Sequence, residues 1–319
     1  SYLQAKIAVS AITSAIQTLG FVAVSHFILE IPGMFWVHSL VLFSVSIFGN
    51  LLGLNISAAF KSAKVIYMII PLLIIPQIIF GGAIVRFDRF NSWFTSEIHV
   101  PILGDLMVSR WGFEALAVNQ YRENSYEAVF CDLDDIIRQS AWRRDFWLEE
   151  VCHSARDLDW IEREWRRAGE DLLYWGITPP PKGIENRKLW DTAFRNAYQS
   201  AFKEKDSRKM TLIKDGGLEE LRDLYRNDEI AEWVLQEERS VRILDLDAGF
   251  KPTASPIHHH TRNVDGFYAP YFSPSKNIAG IKIPTLYYNV FVLWLMTALA
   301  WGFLRWMPFG KSRSFSVSR

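Results

Sequence analysis

Polar side chains inside long apolar stretches are the residues of this sequence with the clearest capacity for chemistry. They are Gln17, His26, Asn50, Asn55 and Gln77. An unpaired amide or imidazole in lipid costs several kcal/mol, so each must face another helix or a wet cavity. Hydrogen bonds that hold a helix bundle together are the simpler interpretation; a lining of a translocation path is the alternative. Asn50 and Asn55 are five residues apart and point to different sides of a helix, so they cannot both line one narrow path.

Two prolines and a glycine pair predict a discontinuity in the third apolar stretch. Pro71 and Pro76 each remove a backbone hydrogen bond, and Gly81 and Gly82 add a flexible point near its outer end. Transporters tolerate such breaks where neighbours or water satisfy the backbone. An ordinary kink and a mechanistic hinge both fit the pattern.

A charged pair at helical spacing follows. Arg110 and Glu114 are four residues apart in a short amphipathic segment, which places both on one side of a helix and lets them pair in a partly dry setting. A structural clamp is the simpler interpretation, and a gate at the exit of a path is the more specific one.

No motif for catalysis or metal binding occurs in this chain. The sequence lacks a Gly-rich phosphate loop, a serine elbow, a zinc-protease motif and a Cys-pair motif, so we expect no catalytic residue here. His258, His259 and His260 are consecutive and lack accompanying ligands, which predicts a solvated loop and no metal site.

Two cysteines, Cys131 and Cys152, lie in the charged part of the chain. On one continuous helix they would be about 30 Å apart, far beyond disulfide reach. A bridge therefore requires the chain to turn between them; unpaired buried thiols are the alternative.

Charge distribution sets the fold class. Residues 7–29, 31–60, 65–85 and 283–304 contain no Asp, Glu, Lys or Arg, and nearly all charge lies in residues 86–282. Each stretch reaches the roughly 20 residues that a helix needs to cross a bilayer. The sequence predicts an all-α membrane protein with four transmembrane helices and a large, mainly helical extracytoplasmic insertion before the last. The zero net charge argues against a nucleic-acid partner.

Basic residues at the ends of the stretches predict the orientation. They are Lys6, Lys61, Lys64, Arg305, Lys311, Arg313 and Arg319. By the positive-inside rule these ends are cytoplasmic, so both chain ends lie inside and residues 87–282 lie outside. The first residue is Ser and no signal peptide precedes the first span, so we expect a C-terminal fragment of a longer protein.

Five segments follow from these patterns. Residues 1–86 hold three transmembrane helices, 87–126 an outer interfacial or re-entrant segment, and 127–282 an extracytoplasmic helical-hairpin domain with short strands. Residues 283–306 form the last transmembrane helix and 307–319 a cytoplasmic tail. One helix is predicted from about Asp134 to the three prolines at 179–181, with a second helix packed on it after them.

Three segments in this order resemble the permease of type-two ABC exporters, the class that includes the G-subfamily half-transporters. They are NLLGLNISAAF at 50–60, IIPLLIIPQIIFGG at 69–82 and SRWGFEAL at 109–116. The resemblance covers about the first 120 residues and, more loosely, the last span. It implies that the four spans are helices three to six of a six-helix permease.

The resemblance also implies partners and cofactors. Such permeases work as dimers, and ATP-binding cassettes on the cytoplasmic side, often fused upstream, bind ATP and Mg and drive the cycle. The outer loop of nearly 200 residues departs from the G-subfamily and is similar to the enlarged loop of some bacterial fused exporters. That similarity implies a bacterial inner membrane, with a periplasmic partner for the loop as a further expectation.

Two functions fit these observations. The first is ATP-driven export of a hydrophobic or amphipathic solute, which the interrupted third span and the buried amides favour. The second is a non-transporting membrane anchor that presents a partner-binding domain outside, which the size of the outer domain favours. The upstream sequence would distinguish them.

Overall fold

The computed structural model describes residues 2–60, 62–90, 100–237, 242–246, 249–259 and 269–306. Several residues of the sequence predictions lie outside this part of the chain: Lys61, His260, Lys311, Arg313 and Arg319, with the predicted tail 307–319. The described residues are mainly helical, and long apolar helices are present, which confirms an all-α membrane protein.

Among the described residues, three helices are long and apolar enough to cross a membrane. They are α1 (Tyr2–Leu29), α2 (Phe35–Ala59) and α12 (Thr285–Trp306). Large apolar side chains project from them into open space; Phe27, for example, is 86% exposed. Exposed apolar surface on this scale fits contact with lipid.

The third apolar helix is shorter than its predicted stretch. α3 (Ala63–Ile79) has 17 residues and is continuous through Pro71 and Pro76. Its length is about 26 Å, close to the lower limit for crossing a bilayer. Phe80 ends the helix, and Gly81 and Gly82 turn the chain, so the apolar residues up to 85 fold outside it.

The helix α2 lies at the centre of the membrane part. It packs against both α1 and α12, and it also contacts α5 (Val108–Arg122). α12 runs beside both α2 and α5, and α5 follows a single helical turn, α4 (Ile102–Asp105). The last span is thereby joined to elements from the first third of the chain.

One continuous helical stretch carries both cysteines. It consists of α6 (Cys131–Trp142), a π-helical turn (Arg143–Trp147) and α7 (Leu148–His153). The chain does not fold back between Cys131 and Cys152, which stand about 30 Å apart along such a helix. Both thiols are free.

The prediction of a single continuous helix from about Asp134 to the prolines at 179–181 is wrong. The chain breaks after His153, and Asp157 starts a new helix, α8 (Leu158–Tyr174), because its carboxylate accepts a hydrogen bond from the Trp160 amide at 2.7 Å. Such a side-chain cap satisfies an amide that the first turn leaves unpaired. The apolar spacing continues across the break, which is why the pattern hides it.

Tryptophans form a core in the part of the chain between α5 and α12. Trp190 at the start of α9 (Arg187–Lys214) packs on Trp165 of α8, with 4.9 Å between ring centroids, and lies near Trp147 and Phe194. α9 also runs along α6. Two further helices follow, α10 (Gly217–Tyr225) and α11 (Asp228–Leu235), and α11 returns to pack on α5.

Two small antiparallel hairpins complete the fold of the residues that the structure describes. β1 (Ile243–Leu246) pairs with β2 (Gly249–Pro252), and β3 (Ser275–Ile278) pairs with β4 (Ile281–Pro284). Ala279 and Gly280 connect β3 to β4 with positive φ values of 51° and 88°, as a two-residue hairpin turn requires. β4 leads directly into α12, so the hairpin is fixed to the N-terminal end of that helix.

Candidate functional site

Arg110 and Glu114 of α5 form the ion pair that their spacing predicts. Arg110 Nη1 lies 3.2 Å from Glu114 Oε2, and both side chains are 0% exposed. The pair faces α12 and the β3–β4 hairpin rather than water. We call these two residues, together with Asp105, Lys276 and Asn289, the buried charge cluster.

Lys276 of β3 is a second cation on the same carboxylate. Its Nζ donates to Glu114 Oε2 at 2.6 Å, and its side chain is also 0% exposed. Sequence analysis missed this residue because it is 162 positions from Glu114. The available signal was a lysine in a short strand immediately before an apolar span.

Glu114 is the centre of the cluster. Besides the two cations, its oxygens accept from Asn289 Nδ2 at 2.8 Å and from the backbone amide of Phe272 at 3.2 Å. Asn289 also donates to the carbonyl oxygen of Trp111 at 3.1 Å. One carboxylate of α5 thus holds the last span, the hairpin and the segment before it.

Aromatic rings surround the two cations. The guanidinium carbon of Arg110 lies 3.7 Å from the ring centroid of Trp111. Lys276 Nζ lies 4.8 Å from the Trp111 ring and 5.2 Å from the Tyr288 ring. Within the described residues no guanidinium nitrogen of Arg110 meets hydrogen-bond geometry, so its stabilisation is ionic and cation–π.

Burial and charge act against each other in this cluster. Burial by itself would raise the pKa of Glu114, but Arg110, Lys276 and the hydrogen bonds from Lys276 and Asn289 hold that pKa below its ordinary value. Burial lowers the pKa of Lys276 to about 8, with Glu114 opposing. Burial also raises the pKa of Asp105. Glu114 is therefore ionised at neutral pH and most of Lys276 is protonated.

The predicted hinge region docks onto the start of α5. Gln77 Oε1 accepts from the Ser109 amide at 3.1 Å, and Ser109 Oγ donates to the Gln77 carbonyl oxygen at 2.6 Å. A Cβ added to Gly82, whose φ is +76°, would lie 2.5 Å from Tyr271 Oη. The glycine pair forms a tightly packed corner in this structure, and a hinge role for Pro71, Pro76, Gly81 and Gly82 stays a prediction.

The remaining amides of the spans separate as their spacing predicts. Asn50 Nδ2 donates to Ser14 Oγ of α1, whereas Asn55 Nδ2 donates to the Ala300 carbonyl oxygen of α12 at 2.9 Å. Both contacts favour helix packing. Gln17 differs, because its side chain is exposed on α1.

The predicted solvated loop at His258 is wrong. His258 is 1% exposed, and its Nδ1 lies 2.7 Å from Asp135 Oδ1. Arg122 binds both oxygens of Asp135 at 3.0 Å, and Tyr121 Oη lies 3.3 Å from His258 Nε2. This network joins α5, α6 and the 3₁₀ turn Pro256–His258. Among the described residues, no group of three or more His, Cys, Asp or Glu side chains is placed to hold a metal.

Acid should weaken the fold through His258. Burial lowers the pKa of His258, although the hydrogen bond and charge of Asp135 oppose this. Below the ordinary value of 6.5 the unfolded state takes up a proton that the native imidazole does not, so the free energy of unfolding falls with falling pH. We expect His258→Asn to reduce this slope between pH 7 and 5, measured by denaturant unfolding. His153→Asn is the matched control; an equal change of slope in both variants would refute the assignment.

Comparison with known proteins gave a match to the first part of the chain, without the last apolar helix α12. Residues 1–121 match the family model of the ABC-2 type transporter, a range that ends one residue before the end of α5. No curated protein and no solved structure gave a match to the chain. The family match supports an ABC-2 permease, which works with an ATP-binding cassette, and with the apolar helices it supports a multi-pass membrane protein with a role in transport.

Proposed function

We propose that this chain is the membrane-spanning part of an ATP-driven exporter that moves a hydrophobic or amphipathic solute. The observation that carries the proposal is the ABC-2 match across α1, α2, α3 and nearly all of α5. ATP and Mg bind to a cassette on the cytoplasmic side, and two copies of the chain form the transporter. We place it in a bacterial inner membrane, with residues 87–282 outside and free to bind a periplasmic partner.

The buried charge cluster is the outer clamp of this exporter. Separation of α5 from α12 and the hairpin would take Glu114 away from Lys276 and Asn289. Loss of one partner leaves a charge uncompensated, unless water enters to solvate it. The cluster therefore stabilises the conformation in which the outer side of the transporter is closed. The cluster can separate only when water fills the exit and solvates its charges.

A transport assay tests the proposal. The full-length protein with its cassette is reconstituted in liposomes, and movement of a lipophilic dye and of fluorescent lipid is followed with ATP and with a non-hydrolysable analogue. We expect movement with ATP only. No nucleotide-dependent movement of either probe would favour the anchor function.

One observation favours the anchor as the second candidate. The tryptophan core at Trp147, Trp165 and Trp190 is built from α8, α9 and the π-helical turn, without a residue of the spans. A domain with its own core can present a binding surface independently of transport. In that case, removal of the cassette would leave partner binding intact.

Gln17 provides a test within the spans. Gln17→Leu removes an exposed amide from α1, so we expect little change in the melting temperature and a changed stimulation of ATPase activity by solute, because a path-lining residue contacts solute rather than neighbouring helices. Gln4→Leu, the same change at an exposed position on a different side of α1, is the matched control and should leave the stimulation unchanged. Unchanged stimulation in Gln17→Leu would remove this residue from the path.

A further inference from the structure

A cavity of about 370 Å³ opens beside the outer end of α3. Its lining combines apolar, aromatic and charged side chains: Ile84, Val85, Arg86, Arg89, Glu232 and Trp233. Two arginines, one glutamate and several apolar side chains therefore line the same cavity. The buried charge cluster contributes no residue to it.

A 3₁₀ turn brings the two arginines together. The Arg89 amide donates to the Arg86 carbonyl oxygen at 3.1 Å, and the turn covers Phe87–Arg89. With three residues per turn, side chains three apart lie on the same side. Phe87 is 7% exposed and packs edge-on against Tyr271 at 4.8 Å, which fixes the turn. Both guanidiniums consequently face one cavity.

In the proposed orientation the cavity lies near the outer membrane surface. Its lining begins at Ile84, a few residues after α3 ends at Ile79. On its other side, the Trp233 ring lies edge-on to Phe113, with 6.0 Å between centroids. Phe113 is adjacent to Glu114, which accepts a hydrogen bond from Asn289 near the start of α12. This side of the cavity therefore lies close to the end of α12 that follows the β3–β4 hairpin. Ile84 is 69% exposed, and tryptophan is enriched at this depth.

We propose that this cavity binds the headgroup of a zwitterionic phospholipid, phosphatidylethanolamine. Arg86 and Arg89 bind the phosphate, Glu232 binds the ammonium group, and Ile84 and Val85 contact the first methylenes of the acyl chains. A guanidinium has five N–H donors, so each arginine can bind phosphate while it keeps the partners it has within the protein. An anionic phosphatidylglycerol headgroup offers Glu232 no cation. Charge complementarity therefore selects the zwitterion.

Lipid retention measures this binding. The full-length protein is purified in detergent with equal amounts of phosphatidylethanolamine and phosphatidylglycerol of the same acyl chains, and bound lipid is counted by native mass spectrometry. Loss of charge-assisted hydrogen bonds in Arg86→Gln/Arg89→Gln should lower phosphatidylethanolamine retention about tenfold or more. Glu232→Gln should abolish the preference over phosphatidylglycerol. Arg195→Gln/Arg208→Gln, at two exposed arginines of α9, is the matched control and should change neither.

Several results would overturn the proposal. These are equal retention of both lipids by the unsubstituted protein, unchanged retention in the arginine double variant, and complete displacement of the lipid by millimolar inorganic phosphate, which would indicate a free-anion site. Arg86→Lys/Arg89→Lys keeps the charge but not the guanidinium geometry, so it should retain an intermediate amount. This variant decides the question if the glutamine variant does not fold.

Discussion

Glu114→Gln should lower the free energy of unfolding by about 3–5 kcal/mol, the usual effect of removing one partner of a buried ion pair. The substitution leaves Arg110 and Lys276 as two buried cations without their shared anion. Lys276 can relieve part of this by losing its proton, since its pKa is already lowered to about 8. Denaturant unfolding of the purified protein measures the loss.

A double-mutant cycle separates the charge effect from general damage. Lys276→Met removes the second cation, so Glu114→Gln/Lys276→Met should lose less stability than the sum of the single variants, with a coupling of about 1–3 kcal/mol. Glu162→Gln, at an exposed position of α8, makes the same charge change and should remain within about 0.5 kcal/mol. Additive losses in the cycle would show that Glu114 and Lys276 do not stabilise each other.

Trp190→Ala should destabilise the domain around the tryptophan core by about 3–5 kcal/mol, the range for removing a large side chain from a core. Trp190 is 1% exposed and lies 4.9 Å from Trp165 and 5.8 Å from Phe194 between ring centroids. Its Nε1 also donates to the Pro181 carbonyl oxygen at 3.0 Å. The cavity left behind would expose the linkers around α8 and α9 to protease.

Limited trypsin digestion in detergent measures this loss, with mass spectrometry to locate the cuts. We expect faster cleavage between α8 and α10 and no change in α1 and α2, because the tryptophan core includes no residue of the spans. Trp190→Phe keeps most of the packing and should be intermediate. Trp36→Ala, at a position 76% exposed, is the matched control. Digestion of Trp190→Ala at the rate of the control would contradict the packing argument.

Hydropathy was sufficient to predict the fold class, but not the end of the third apolar helix. Residues 80–85 are mainly apolar and extend the uncharged stretch, yet Gly82 adopts a positive φ and packs against Tyr271, from the other end of the chain. The sequence analysis also failed to predict the break before α8. The apolar spacing continues across this break, although Asp157 caps a new helix there. Local patterns carry no information about such contacts.

The sequence predicted only part of the candidate site. Arg110 and Glu114 lie on one helix, so their spacing alone predicts the pair. Lys276 and Asn289 stand 162 and 175 residues from Glu114, and only the packing of the hairpin and α12 on α5 brings them together. His258 was misinterpreted in the same way, because Asp135 is 123 residues away. The assigned roles of these residues remain predictions.

A measurement of the orientation of the chain in the membrane tests the proposed exporter function most directly. Lys203 lies on α9 and Lys64 at the start of α3, and both side chains are exposed. The proposed orientation places Lys203 outside and Lys64 on the cytoplasmic side. Because Cys152 is a half-buried free thiol, Lys203→Cys and Lys64→Cys are made separately in a Cys131→Ser/Cys152→Ser background. Each variant is treated with a membrane-impermeant maleimide in sealed right-side-out vesicles. We expect label on Lys203→Cys alone, with Lys64→Cys reacting only after permeabilisation. Labelling of Lys64→Cys in the sealed vesicles, with Lys203→Cys protected, would contradict the proposed orientation and the exporter with it.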